Sequence, residues 1–364
     1  MTIKRIAYFI SPHGFGHAAR AAAVMETLSE SDPGVRFEIF TSVPSWFFED
    51  SVSTPFTYHR VVTDIGLVQK NAFEADLEDS LRALNDYFPL EPSLIEHLAE
   101  TIRALKCDLI VCDIAPMGIL IAKEAQIPSI LVENFTWDWI YQQYTVSNEH
   151  IKRHIDYLQP IFNAVDYHIQ TEPICRRNSA DLTTAPVSRK IKSTGVEIRQ
   201  RLGLPGNVKM VLITTGGIPQ SYDFFEELSK FRQIIFVMPG AGPVMKRVEN
   251  LIILPHRSDF YHPDLVNAAD AVIGKVGYST LAEIYHGGVP FGYVARSNYR
   301  ESESMVAFIK KKMPAIAVSE SEFNDGNWTA KLADLLDLAP VRHNMTNGAE
   351  QISRFIEDLL PSSY

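Results

Sequence analysis

Residues 11–20 read SPHGFGHAAR, two histidines interleaved with two glycines between the apolar run IAYFI and an alanine-rich helical pattern. Imidazole changes charge near neutral pH and is the natural base for taking a proton from a hydroxyl. Gly14 and Gly16 would let a ligand approach the backbone closely. Two further glycine turns follow apolar strands, TTGG at 214–217 and GKVGYST at 274–280. In each, a Ser or Thr can cap the following helix or donate to a phosphate oxygen held at its N-terminus. Lys275 adds a cation to the later turn. Glu283 lies three residues after Thr280 on the same helical face, where a carboxylate could accept both hydroxyls of a ribose. The same spacing fits a capping box from Ser279 or Thr280, and the residues alone leave both readings open. A P-loop is absent, and HGFGHAAR is not a GxGxxG fingerprint because Ala19 stands where the third glycine belongs.

The chain that must position these groups has 364 residues, 46% of them hydrophobic and 21% charged, ordinary globular values. That length suits two domains of roughly 150–200 residues each. A net charge of −10, with no Lys/Arg run longer than the KKK at 310–312, argues against a nucleic-acid partner. Cys107, Cys112 and Cys175 form no CxxC pair, so no metal site is expected. The first two flank DLIV and read as small buried strand residues. MTIKRIAYFI turns polar too quickly for a signal peptide, and no apolar run approaches 18 residues. The expectation is a soluble cytoplasmic protein.

Short apolar runs alternate with helical patterns along the whole chain, which predicts α/β architecture with parallel sheets and right-handed crossovers. RIAYFIS, RFEIFTS, TYHRVV, CDLIVCD, PSILVEN and YHIQTE are the strands of the first half. A long helical stretch from about 73 to 105 and another at 138–164 are interspersed. KMVLITTGG, QIIFVMPG, NLIILP, AVIGK, PFGYVAR and PAIAVS are the strands of the second. The expected domains are 1–188 and 189–347, with a closing helix over 348–362 packing back on the first. Ligands of such sheets bind beyond the carboxyl ends of the strands, so a cleft between two doubly wound domains is the expected site.

The run AADAVIGKVGYSTLAEIYHGGVPFGYVARSNYRESESMVA resembles the donor-nucleotide region of GT-B glycosyltransferases, family 28 in particular. On that pattern Lys275, Gly277, Ser279, Thr280 and Glu283 would hold the nucleotide. Thr215, Gly216 and Gly217 would face the diphosphate, and His256 would frame the base. HGFGHAAR is similar to the family's acceptor-side glycine–histidine turn, which implies His13, Gly14 and Gly16. VENFTWDWIYQQY at 132–144 resembles an acceptor-facing loop and implies Glu133, Asn134 and Trp137. The motifs DxGxVQ (Asp64, Gly66, Val68, Gln69), NFTWDWIY and GKVGYST are similar to the glycosyltransferase-like region of plant L-arabinokinases. Gln69 is thereby placed on the acceptor side. No kinase half is present, so kinase activity is not implied. The family's D-x-x-Q group for the donor sugar is replaced by YRESESM, where Arg300, Glu301 and Glu303 stand, so donor identity does not carry over and only the acids remain to grip sugar hydroxyls.

The resemblance implies two Rossmann-like domains, donor on the second and acceptor on the first. His17, at the start of the first helix, is the candidate base, with the helix N-terminus disfavouring its imidazolium form. Asp113 is the reserve base, and Asp138 reads equally as a helix cap. Arg20 is either an anion contact or a salt-bridge partner, and both histidines could instead only bind neighbouring loops. Trp137, Trp139, Tyr141 and Tyr144 are core or a wall for sugar or lipid, and their spacing predicts that some are exposed. The implied activity is inverting, metal-independent transfer from a nucleotide-diphosphate sugar, a UDP-sugar above all, to an unidentified acceptor, with no cofactor. A UDP-sugar epimerase or hydrolase, or a non-catalytic nucleotide-sugar-binding protein, are the alternatives, and a lipid-linked acceptor would bring peripheral membrane contact.

Overall fold

The computed structural model describes residues 3–214 and 224–360. Two compact units emerge: residues 1–68, 75–189 and 345–364 form the first, residues 69–74 and 190–344 the second. The segment 69–74 thus leaves the domain in which the sequence places it.

The first unit is built on seven parallel strands, β1 Lys4–Ile10, β2 Val35–Thr41, β3 Phe56–Arg60, β4 Leu109–Asp113, β5 Ser129–Glu133, β6 Tyr167–Thr171 and β7 Leu182–Thr184, in spatial order 3-2-1-4-5-6-7. Central strands of such a sheet are covered on both faces and read as unbroken apolar runs. Ile6 to Ile10 and Leu109 to Asp113 are buried at every position. In register Tyr8 lies opposite Ile39 and Val111, and Ile10 opposite Asp113. The order reverses between β1 and β4, which sets the head of the Phe15–Ser31 helix beside the end of β4.

The second unit has β8 Lys209–Thr214, β9 Ile234–Gly242, β10 Lys246–Val248, β11 Leu251–Pro255, β12 Ala271–Lys275, β13 Phe291–Val294 and β14 Ala315–Val318, in order 10-11-9-8-12-13-14. All pairs are parallel except β10 with β11. Its core joins Phe236, Ile273, Phe323 and Trp328 to Ala72 and Phe73, which is why 69–74 belongs here.

The long helical stretch expected over 73–105 is two helices, Leu77–Tyr87 and Pro92–Leu105, parted at Pro89 and Pro92, whose missing N–H cannot continue a helix. The stretch at 138–164 is likewise divided, into Trp137–Gln142 and Lys152–Phe162. The closing Gly348–Leu359 helix docks on the first unit, where Gln351 Oε1 accepts from the Ala185 N–H at 2.8 Å. Cys107 and Cys112 are buried, and burial pushes both thiols up. Among the described residues no helix is long and apolar enough to cross a membrane.

Candidate active site

Gly14 caps the Phe15–Ser31 helix with φ 75°, a left-handed value that favours glycine. The first turn then carries His17 inward, 7% exposed. Its Nδ1 lies 2.9 Å from Asp113 Oδ1. A carboxylate can only accept there, so Nδ1 carries a proton. Arg20, one turn on, closes a bidentate pair on the same carboxylate, Nε to Oδ2 at 2.8 Å and Nη2 to Oδ1 at 2.6 Å. Burial alone would raise the Asp113 carboxyl, but the Arg20 charge and hydrogen bonds, with those of His17, hold it below the usual range. Arg20 Nη1 also donates to Asn134 Oδ1 at 2.7 Å. Next to Asp113, Ile114 adopts φ 47°, a strained value for a β-branched residue.

Asp113, the expected reserve base, is fully buried and paired with Arg20 and His17. Arg20, 1% exposed, forms this salt bridge within its own unit.

His13 packs edge-on to Trp137, with ring centroids 5.0 Å apart. Its Nδ1 accepts from the Leu67 N–H at 3.4 Å, which ties the glycine turn to the 64–68 segment. Gly66 is needed at that join: its φ is +61°, and a Cβ there would sit 2.7 Å from His13 Nδ1. Ser11 Oγ donates to Asp64 Oδ1 at 2.9 Å. Burial pushes the Asp64 carboxyl up to about 7, against the pull of the Ser11 hydroxyl and the Trp137 indole. Gly16, in contrast, faces open space, where a Cβ would meet nothing within 4 Å.

The 132–144 loop is more buried than expected. Glu133, 2% exposed, accepts at Oε1 from Gln170 Nε2 at 2.7 Å and is bonded to His168 Nε2 at 2.8 Å, so it braces strand ends. Asn134 is fully buried against Arg20. Trp137, Trp139 and Tyr141 are all buried and only Tyr144 is half-exposed, because the six-residue helix carrying them is covered on several sides. Asp138, 4% exposed, has its carboxyl raised by burial, against hydrogen bonds from the Thr136 hydroxyl and from backbone N–H groups at the helix start. Gln69 is half-buried and belongs to the second unit.

In the second unit the turn after β12 leads into the Tyr278–Gly287 helix. Its N-cap is Gly277, with no side-chain cap hydrogen bond. The capping box is therefore not formed, and Glu283 lies well inside the helix. A helix start without a side-chain cap is the kind of end at which anions bind. Glu283, 5% exposed, holds Oε2 at 2.7 Å from His262 Nδ1. Thr280 is buried beside it and Ser279 half-buried. Lys275 ends β12 with 9% exposure, and desolvation, assisted by nearby Arg296, lowers its ammonium to about 7. Glu301 is buried, with Arg296 Nη2 at 3.5 Å, whereas Glu303 is exposed on the outer face of its helix and is not brought to the others. His256 is exposed beside Gly240, where a Cβ would come within 3.2 Å of its ring. Thr215, Gly216 and Gly217 lie outside the described residues.

Sequence reading overlooked His262 and Arg296. His262 opens the His262–Ala268 helix and Arg296 lies two residues past β13.

No protein-family profile matches the chain. It is 27% identical over 357 residues to L-arabinokinase of Arabidopsis thaliana, which covers 97% of this chain and 34% of that protein, so it spans about a third of that relative's length. It is 25% identical over 334 residues to an uncharacterized glycosyltransferase of Methanosarcina acetivorans, covering 85% and 84% of the two chains. To the UDP-N-acetylglucosamine–N-acetylmuramyl-(pentapeptide) pyrophosphoryl-undecaprenol N-acetylglucosamine transferase of Halalkalibacterium halodurans it is 28% identical over 226 residues, 54% and 58% of the two. The glycotransferase of kitacinnamycin superposes with a TM-score of 0.64 at 14% identity, over 99% of this chain and all of that one. Medicago truncatula UGT71G1 complexed with UDP-glucose superposes with 0.61 at 12%, over 98% of both. The fold is GT-B. The chain's sequence likeness is to glycosyltransferases of the family-28 kind, as its motifs imply.

Proposed function

We propose that the protein is a glycosyltransferase that moves a sugar from a UDP-sugar to an acceptor hydroxyl, with inversion and without a metal. The observation that carries the reading is the Asp113–His17 pair at the glycine-capped head of a helix in a chain of this fold. With Nδ1–H given to Asp113, His17 Nε2 takes the proton of the acceptor hydroxyl. The acceptor oxygen then bonds to the anomeric carbon as the bond from that carbon to the diphosphate oxygen breaks on the opposite face, and UDP leaves with the bonding pair. The growing charge on the diphosphate is met by the N–H groups at the start of the Tyr278–Gly287 helix and by Thr280, which together do a metal's work. Glu283, fixed by His262, receives the ribose hydroxyls. Support for uridine comes from the Halalkalibacterium relative, named for its UDP-sugar, and from the Medicago neighbour with UDP-glucose bound.

The test is UDP release and product mass from UDP-glucose, UDP-N-acetylglucosamine and UDP-glucuronic acid, against soluble glycans and lipid-linked sugars, with and without EDTA. Acceptor-dependent, EDTA-insensitive release that falls about 10²–10⁴-fold in His17→Ala supports the reading. Release of free sugar or an epimer without acceptor would make the protein a hydrolase or epimerase. No release with any donor would refute the proposal.

A further inference from the structure

Among the described residues, the turn from β13 to the Glu301–Lys312 helix brings two buried cations, Arg296 and Lys275, to one buried carboxylate, Glu301. Arg296, 9% exposed, stacks its guanidinium on Tyr299, 3.4 Å from the ring centroid. Only its Nη2 reaches Glu301, at 3.5 Å, and its buried Nε closes no hydrogen bond. Ser302, 4% exposed, has a buried hydroxyl that also closes none. Lys275 stands opposite Val294 in register, two residues before Arg296 in the adjoining turn. Two buried cations against one carboxylate, with two unused donors, is a costly arrangement for the empty protein, because each such group lost its water on folding.

Unused donors on Arg296 and Ser302, with the Lys275 ammonium close enough to feel the Arg296 charge, select an acceptor-only group. Neutral sugar hydroxyls both give and take hydrogen bonds, whereas a carboxylate only accepts, and a guanidinium edge suits it. The diphosphate has its own anion end at the start of the Tyr278–Gly287 helix, which follows the strand beside β13. We propose that the donor sugar is a uronic acid, its carboxylate docking on Lys275, Arg296 and Ser302. This assignment rests on the UDP-sugar reading above and names the sugar's class. An incoming carboxylate would also return Lys275 to full charge, offsetting the desolvation that lowers it.

Calorimetric titration of UDP, UDP-glucose and UDP-glucuronic acid tests it, in the wild type, Arg296→Met and Ser302→Ala. The serine variant removes a donor without stranding the Glu301 charge, so it remains informative where Arg296→Met does not fold. The wild type should bind UDP-glucuronic acid at least about tenfold more tightly than UDP-glucose, one charge-assisted hydrogen bond's worth. Both variants should shrink that preference and leave UDP affinity within about twofold. Equal affinity for the two sugar nucleotides, with UDP bound, would overturn the uronate assignment and spare the donor reading. Equal losses for all three ligands in the variants would place the cations on the diphosphate and overturn it too. Failure of UDP itself to bind would remove the donor reading and this assignment with it.

Discussion

Replacing Asp113 by Asn keeps the shape of the side chain and removes the charge that Arg20 is built around. The guanidinium is 1% exposed and bidentate to the carboxylate, at 2.6 and 2.8 Å. Breaking a buried pair by removing one partner costs about 3–5 kcal/mol, because the other charge is left stranded. In a unit of this size each kcal/mol lowers the melting temperature by roughly 2–4 °C, so Asp113→Asn and Arg20→Met should each melt about 6–20 °C below the wild type. The double variant Arg20→Met/Asp113→Leu strands nothing and should regain most of the loss. Its transferase activity should stay down by roughly 10³–10⁴-fold, since His17 no longer has an acceptor for Nδ1–H and its tautomer is unset. Calorimetric melting of the four proteins reads the coupling. Single variants within about 2 °C of wild type, or losses that simply add in the double variant, would refute the ion-pair reasoning.

Two carboxylates and one glycine supply the remaining stability predictions. Asp64 is pushed up to about 7, so between about pH 4 and 7 the native state holds a proton that the unfolded chain releases; stability should fall as pH rises across that window, by at most about 1.4 kcal/mol per pH unit. Asp64→Asn should flatten the melting profile there, and parallel profiles for the two proteins would contradict the assignment. Asp113 has the opposite sign: held below its ordinary range, it stabilises above about pH 4 and loses that contribution as pH falls through its folded value, so acid melting should be shallower in the double variant. A Cβ at Gly274 would lie 1.8 Å from the Thr214 carbonyl oxygen, so Gly274→Ala must part β8 from β12 and should lose about 1–3 kcal/mol or more; an unchanged melting temperature would show that the strands yield freely.

The alternation of strands and helices was legible because each strand is a covered apolar run, and the turn after β12 announced itself by local spacing alone. What local spacing cannot carry is partnership across the sheet. Arg20 and Asp113 are 93 residues apart in sequence and meet only because the strand order reverses between β1 and β4. Before that reversal is known, Asp113 looks as much a base as an orienting group. Glu283 posed the same difficulty, since the cap signature and the ribose signature share one spacing and only the position of Gly277 at the helix start separates them. The aromatic loop misled by its period: the three rings on the six-residue Trp137–Gln142 helix are all buried whatever their spacing, and half-exposed Tyr144 lies past its end. His262 was invisible for the complementary reason, being defined by a carboxylate 21 residues away.

The most direct test of the nucleotide-sugar account is a calorimetric titration of UDP into the wild type, Glu283→Ala and His17→Ala, each in EDTA and in magnesium. The account predicts magnesium-independent binding by the wild type, at least about tenfold weaker binding in Glu283→Ala, and an unchanged constant in His17→Ala, whose task is the acceptor's proton. Absence of UDP binding by the wild type, or binding indifferent to Glu283, would contradict it.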